Sequence, residues 1–108
     1  MNVGIDLIQI DRFKKIPYSK NESFYKKNFS NEEIKYCLKF SEPYKHFAGK
    51  FAIKEAVIKS IEKKIELSDI ITFYNNEKPC VKIIKENFNF KVSISHEGDY
   101  AIAIAISE

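Results

Sequence analysis

Apolar residues run almost unbroken from Val3 to Ile10, and most of them are branched, which predicts a buried strand opening the chain. The next stretch, Asp11 to Phe29, is mixed in character, broken by Pro17 and carrying the basic clusters Lys14-Lys15 and Lys26-Lys27. Ser30-Asn31-Glu32-Glu33 has the form of a capping box, serine followed three residues on by glutamate, and predicts a helix to about Phe40. Ser41-Glu42-Pro43 stops it, and a longer helix is expected from Tyr44 to Lys63. Beyond that the period falls to two. Ile70 to Tyr74 and Cys80 to Ile84 read as strands around an Asn75-Asn76-Glu77-Lys78-Pro79 turn, and Lys91 to Ser95 with Tyr100 to Ile106 as a hairpin across His96-Glu97-Gly98-Asp99. In the last strand Ala101, Ala103 and Ala105 share one face and Ile102, Ile104 and Ile106 the other, so the alanine face invites close approach by a helix or sheet. The expected fold is a single α+β domain over residues 1–108, an antiparallel sheet packed against one long helix and shorter helices.

Two acids disturb this pattern. Asp6 is the sole charge between Met1 and Ile10 and shares a strand face with Gly4, Ile8 and Ile10. On the long helix, at about 100° per residue, Phe47, Ala48, Phe51, Ala52 and Ile58 form one sector, and Glu55 falls between Phe51 and Ala48. Ile53, Ala56 and Val57 cover much of the other side, which predicts a helix enclosed by more than one layer. A carboxylate in apolar surroundings is costly unless a cation or hydrogen-bond donors meet it. The competing readings are a solvent-facing strand-end acid at Asp6 and a surface ion pair from Glu55 to Lys59. Taken together, the two acids suit a shared divalent cation of the Mg type, completed by water and substrate phosphates. Lys50, Lys54 and Lys59 on the same helix suit phosphate oxygens, and His96 sits at the expected hairpin tip.

Composition narrows the classes. With 108 residues the chain has room for one core and little for a closed cavity, so a large substrate calls for an open groove or a wall borrowed from another subunit. A net charge of +3 with acids and bases interleaved does not demand nucleic acid but suits an acidic or phosphorylated partner. Cys37 and Cys80 lack metal-type spacing and read as free thiols of a reducing compartment. No apolar run approaches the roughly 20 residues needed to span a membrane, and a cytoplasmic location is expected.

The motifs also carry a resemblance. Gly4-Ile5-Asp6-Leu7 with Ile10-Asp11-Arg12, then Ala48-Gly49-Lys50-Phe51-Ala52-Ile53-Lys54-Glu55-Ala56 continuing to Lys59, resemble two signatures of the short bacterial-type 4′-phosphopantetheinyl transferases. Ser93-Ile94-Ser95-His96-Glu97 with Asp99-Tyr100-Ala101 resembles their C-terminal hairpin, and Phe29-Ser30-Asn31-Glu32-Glu33 their helix start. The resemblance implies Mg-dependent transfer of 4′-phosphopantetheine from coenzyme A to a serine of an acidic acyl carrier protein, with release of 3′,5′-ADP, in support of fatty acid biosynthesis. It implies metal ligands at Asp6 and Glu55, catalytic roles for Glu55 and Lys59, and coenzyme A contacts from Lys50, Lys54, Lys59 and His96. It further implies carrier docking at Arg12, beside Lys14 and Lys15, and a homotrimer with sites between subunits. For the proton acceptor, Glu55 and a metal-bound water stay open. The family's arginine is Lys50 here, an acid near the first motif is Gln9, its Gly-Thr-Gly is Lys63-Lys64-Ile65-Glu66, and its Gly-Lys-Pro turn is Glu77-Lys78-Pro79. The rival classes are another Mg-dependent phosphate enzyme, and an RNA-binding module, which the interleaving of basic residues with Glu32-Glu33, Glu62 and Glu66 disfavours.

Overall fold

A computed structural model describes all residues, Met1–Glu108. The elements run β1 (Asn2–Gln9), α1 (Asp11–Lys14), a 3-10 turn (Tyr18–Lys20), α2 (Glu22–Asn28), α3 (Asn31–Leu38) and α4 (Pro43–Ser60). A second 3-10 turn (Leu67–Asp69), β2 (Ile70–Asn75), β3 (Lys78–Ile83), β4 (Phe90–Glu97) and β5 (Tyr100–Ser107) follow. The strands form an antiparallel sheet in the order β1-β5-β4 and a separate β2-β3 hairpin. The α+β expectation holds. The mixed stretch after β1 resolves into two short helices whose apolar residues, Phe13 and Tyr25, reach the core.

Helix α4 lies across the three-stranded sheet, and small side chains make this possible. Ala101, Ala103 and Ala105 of β5 are buried against it, and a Cβ at Gly4 would stand 1.9 Å from the Ala56 carbonyl oxygen. Glycine there lets the helix backbone rest on β1. Phe47, Ala52, Ile53, Ala56 and Val57 are buried as well, so α4 is enclosed within the one chain, as its sequence predicts. A staircase of rings (Phe13, Tyr25, Phe29, Phe47 and Phe51) closes the core under α1 and α2, with centroids 4.7–6.5 Å apart.

The alanine face and the enclosed helix therefore close the protomer's own core; neither is left over for a subunit contact. The free apolar surface lies on the other side of the sheet. β1 is half buried: Gly4 and Ile8 face α4, while Val3, Ile5 and Leu7 stand 62, 55 and 60% exposed. Ile5 pairs with Ile104 and Leu7 with Ile102, so these residues form one continuous apolar face with β5.

The turns meet their conformational demands with unequal ease. Asn75 pairs with Lys78, leaving Asn76 and Glu77 as a two-residue turn with φ of 51° and 68°. Glutamate is strained in this left-handed region where the family places glycine. The β4–β5 turn does have a glycine, Gly98, at φ 56°. No residue from Ile61 to Asp69 has a positive φ, so the segment replacing Gly-Thr-Gly turns without needing glycine. Cys37 and Cys80 are free, and burial pushes the Cys37 thiol up to about 12. No helix is long and apolar enough to cross a membrane.

Candidate functional site

The close approach of β1 and α4 assembles the site. Two residues along from Gly4 on the same strand face, Asp6 meets Lys59 of α4, whose ammonium lies 3.1 Å from Asp6 Oδ1 and 3.0 Å from the Ile5 carbonyl oxygen. The competing surface pair from Lys59 to Glu55 is not formed; Lys59 pairs with Asp6 instead. Glu55, one turn earlier on α4, is only partly buried. Burial raises its carboxyl above the ordinary glutamate range, and Asp6's charge raises it further, against the pull of Lys59 and Arg12. Arg12 of α1 lies beside the cluster, its guanidinium 5.7 Å from the Phe51 ring centroid.

A divalent cation fits this arrangement. Two nearby carboxylates, one of them holding its proton more tightly through burial and the other's charge, would shed their repulsion on a shared cation. The donors are oxygen only, and no third His, Cys, Asp or Glu joins them. So sparse a set suits a hard ion that keeps waters and takes substrate phosphates, as Mg²⁺ does.

The other residues singled out in the sequence are dispersed. His96 lies in the body of β4, not at the hairpin tip, because pairing continues to Glu97–Tyr100. Its Nε2–H donates to the Lys45 carbonyl (3.1 Å), and a Cβ on Gly49 would stand 2.5 Å from Ile94 Cδ1 and 3.1 Å from the imidazole, so glycine there makes room for both β4 side chains. Asp6 and His96 stand on strands either side of β5, roughly 10 Å apart by strand spacing alone. A ligand touching both within one protomer must be long.

Lys54 is fully buried. Its ammonium bonds Glu33 Oε1 (2.8 Å) and the carbonyls of Asn28 (2.7 Å) and Leu67 (3.3 Å), which uses all of its donors inside the protein. The sequence expectation that Lys54 reaches coenzyme A phosphates does not match this position. Glu33 also accepts from the Ser30 N–H (2.8 Å), the Thr72 N–H (2.8 Å) and the Thr72 hydroxyl (2.6 Å). Burial pushes Glu33's carboxyl up, but Lys54 and the hydrogen bonds outweigh it and hold the group below the usual range. Burial alone pulls Lys54 down while Glu33 pulls it back. The contacts are those of an ionic pair, since Glu33 accepts from four donors and Lys54 donates to three acceptors. Removing one partner of such a pair typically costs about 3–5 kcal/mol. Lys50, also nearly buried, donates to Thr72 Oγ1 (3.0 Å) at the wall of a groove between α3 and β2. Lys14 lines an open cavity of about 380 Å³ with Tyr44, Lys45 and Asp99, while Lys15 pairs with Asp11 on the surface.

The sequence reading missed Thr72 and the second role of Glu33. A capping box fully explains a glutamate at that place, and nothing in the spacing from 33 to 54 to 72 announces a contact. The one available signal was Lys54 itself, a lysine set among buried positions of α4.

Known proteins bear on this arrangement. The model of the 4′-phosphopantetheinyl transferase superfamily matches residues 2–105. A holo-[acyl-carrier-protein] synthase of Thermodesulfovibrio yellowstonii is 39% identical over 107 residues, covering 96% of this chain and 95% of the relative. One from Mycoplasma capricolum is 39% identical over 109 residues, covering 99% and 94%. Among solved structures, the Helicobacter pylori holo-[acyl-carrier-protein] synthase in complex with coenzyme A superposes with a TM-score of 0.84 at 30% identity, covering 98% of this chain and 99% of the other. A Bacillus anthracis holo-(acyl-carrier-protein) synthase in complex with CoA (3′,5′-ADP) gives 0.84 at 25% identity, covering 99% and 95%.

Proposed function

The chain belongs to the 4′-phosphopantetheinyl transferase superfamily and is an enzyme of the holo-[acyl-carrier-protein] synthase type; from that premise we propose that it moves 4′-phosphopantetheine from coenzyme A to a serine of an apo-acyl carrier protein. The reaction depends on Mg²⁺, releases 3′,5′-ADP and serves fatty acid biosynthesis. The observation that carries this reading is the convergence of Asp6 from β1 with Glu55 and Lys59 from α4.

Asp6 and Glu55 would hold the Mg²⁺, which supplies neutralisation of the pyrophosphate charge when bound. Lys59, half exposed and anchored by Ile5 and Asp6, keeps its third donor for a phosphate oxygen, where an ammonium stabilises charge that grows in the transition state. Glu55 and a water at the site are the two candidate acceptors for the serine proton. His96 and Lys50 are the further coenzyme A contacts, and the separation of His96 from Asp6 matches an extended substrate or contributions from two subunits. Lys54 supports this arrangement from inside, through Glu33. The apolar sheet face of Ile5, Leu7, Ile102 and Ile104 closes a homotrimer, which gives the open grooves of this small domain additional walls.

Arg12, Lys14 and Lys15 form the docking surface for an acidic carrier protein, next to the metal ligands. Incubating the protein with coenzyme A, Mg²⁺ and apo-carrier protein should add the mass of one phosphopantetheinyl group to the carrier, read by mass spectrometry. A carrier of unchanged mass would refute the function. In the same assay Arg12→Glu should raise the Michaelis constant for the carrier about tenfold, leave that for coenzyme A nearly unchanged, and weaken the salt dependence, because charge complementarity acts on encounter and is screened. Equal salt slopes for both proteins would place docking elsewhere.

A further inference from the structure

The proposed chemistry leaves Thr72 without a task, although it joins the buried contacts that link α4 to α3 and β2. Its hydrogen-bond directions are fixed by elementary chemistry. Ionised Glu33 can only accept, so the single hydroxyl proton of Thr72 is committed to Glu33 Oε2 at 2.6 Å. That leaves the lone pairs of Thr72 Oγ1 as acceptor, and Lys50, which can only donate, lies 3.0 Å away. No other hydrogen-bond acceptor in the protein meets Lys50. Its ammonium is flanked by two rings, with centroids at 4.7 Å (Tyr36) and 5.1 Å (Tyr74), and those rings stack on each other at 5.2 Å. The ammonium thus sits at the wall of a groove of about 290 Å³, lined also by Glu32, Thr72 and Phe73.

We propose that Thr72, oriented by Glu33, is a positioning residue for coenzyme A: its hydroxyl holds the Lys50 ammonium against the α3–β2 groove, where that charge faces a phosphate of the substrate. The inference rests on the reading of Lys50 as a coenzyme A contact and goes beyond it by naming what sets the lysine in place. The need for such a holder follows from the residue itself. A guanidinium presents a rigid fork and orients itself on a phosphate; a lysine is a point charge on four rotatable bonds and must be oriented by its surroundings. Burial lowers the proton affinity of Lys50, with Cys37 and Glu33 acting against it and Lys54 alongside it.

The test is Thr72→Val, which keeps the shape and the backbone N–H to Glu33 but removes the hydroxyl, with Thr72→Ala read in parallel to exclude crowding by a misplaced methyl. Both should raise the Michaelis constant for coenzyme A about fivefold to tenfold, with kcat and the Michaelis constant for carrier protein within about twofold of wild type. Thr72→Ser should restore wild-type values. Lys50→Met should raise the same constant, and adding Thr72→Val to it should have little further effect. If Lys50→Met weakens coenzyme A and the Thr72 variants do not, or if serine fails to rescue them, the positioning role is refuted while the Lys50 reading stands. If Lys50→Met itself leaves the constant unchanged, the Lys50 reading falls and the inference with it.

Discussion

Asp6→Asn and Glu55→Gln are each expected to lower phosphopantetheine transfer by about a thousandfold or more in saturating Mg²⁺, since each removes one of two proposed protein ligands to the cation. The fold should survive both changes. Asp6 keeps its place because Gly4 and Ala103 fix β1 against α4 and β5, and the amide of an asparagine fills the same volume. Glu55→Gln should even raise the metal-free melting midpoint at neutral pH. The folded state raises Glu55's pKa, so the native protein binds more protons than the unfolded chain between the unfolded and folded pKa values. Stability falls as pH rises through that window and stays lower above it; glutamine removes the penalty. Added Mg²⁺ should then raise the midpoint of the wild type and not of either variant, by the linkage of binding to folding. Wild-type transfer rates in both variants would remove the shared-cation site.

The acids Asp6 and Glu55, the proposed cation ligands, stood out in the sequence for a physical reason. A carboxylate in an apolar strand, and another in an apolar helical sector, are costly, so their presence is itself information. The sequence does not show that Lys59 would choose Asp6 over Glu55. That choice depends on how closely β1 and α4 approach, which Gly4 and the alanines of β5 decide together. Residues with an adequate local explanation were harder to read. Glu33 was accounted for by its helix cap and Lys54 by its place in a basic series, yet the two meet in the core. His96 was assigned to a turn because Glu97-Gly98-Asp99 looks like one, whereas pairing carries β4 as far as Glu97 and leaves only two residues to turn. The short helices α1 and α2 have too few residues to establish a period, and tertiary packing of Phe13 and Tyr25 holds them.

The first strand misled in a more useful way. An almost unbroken apolar run predicts burial on both faces, and within one protomer only the Gly4–Ile8 face is buried. The sequence and the isolated fold are reconciled if another copy covers Val3, Ile5, Leu7, Ile102 and Ile104. Monomeric proteins rarely expose a contiguous apolar face of this kind. Sedimentation of the wild type at micromolar concentration should therefore give three times the 12.6 kDa chain mass. Ile104→Glu places a charge at the centre of that face, opposite Ile5 and Ser93. In the free protomer the new side chain points to water, so circular dichroism should be unchanged. In the trimer the substitution buries an unpaired carboxylate at each interface, which costs several kcal/mol and should leave the protein monomeric at the same concentration. Transfer should fall with it, on the order of a hundredfold, because the grooves of one protomer are open and His96 stands far from Asp6. Raising the concentration of Ile104→Glu should recover part of the activity, whereas a chemical defect in the site would not respond. A wild type that sediments as a monomer with full activity, or an Ile104→Glu monomer as active as the wild type, would leave this apolar face without the assembly assigned to it.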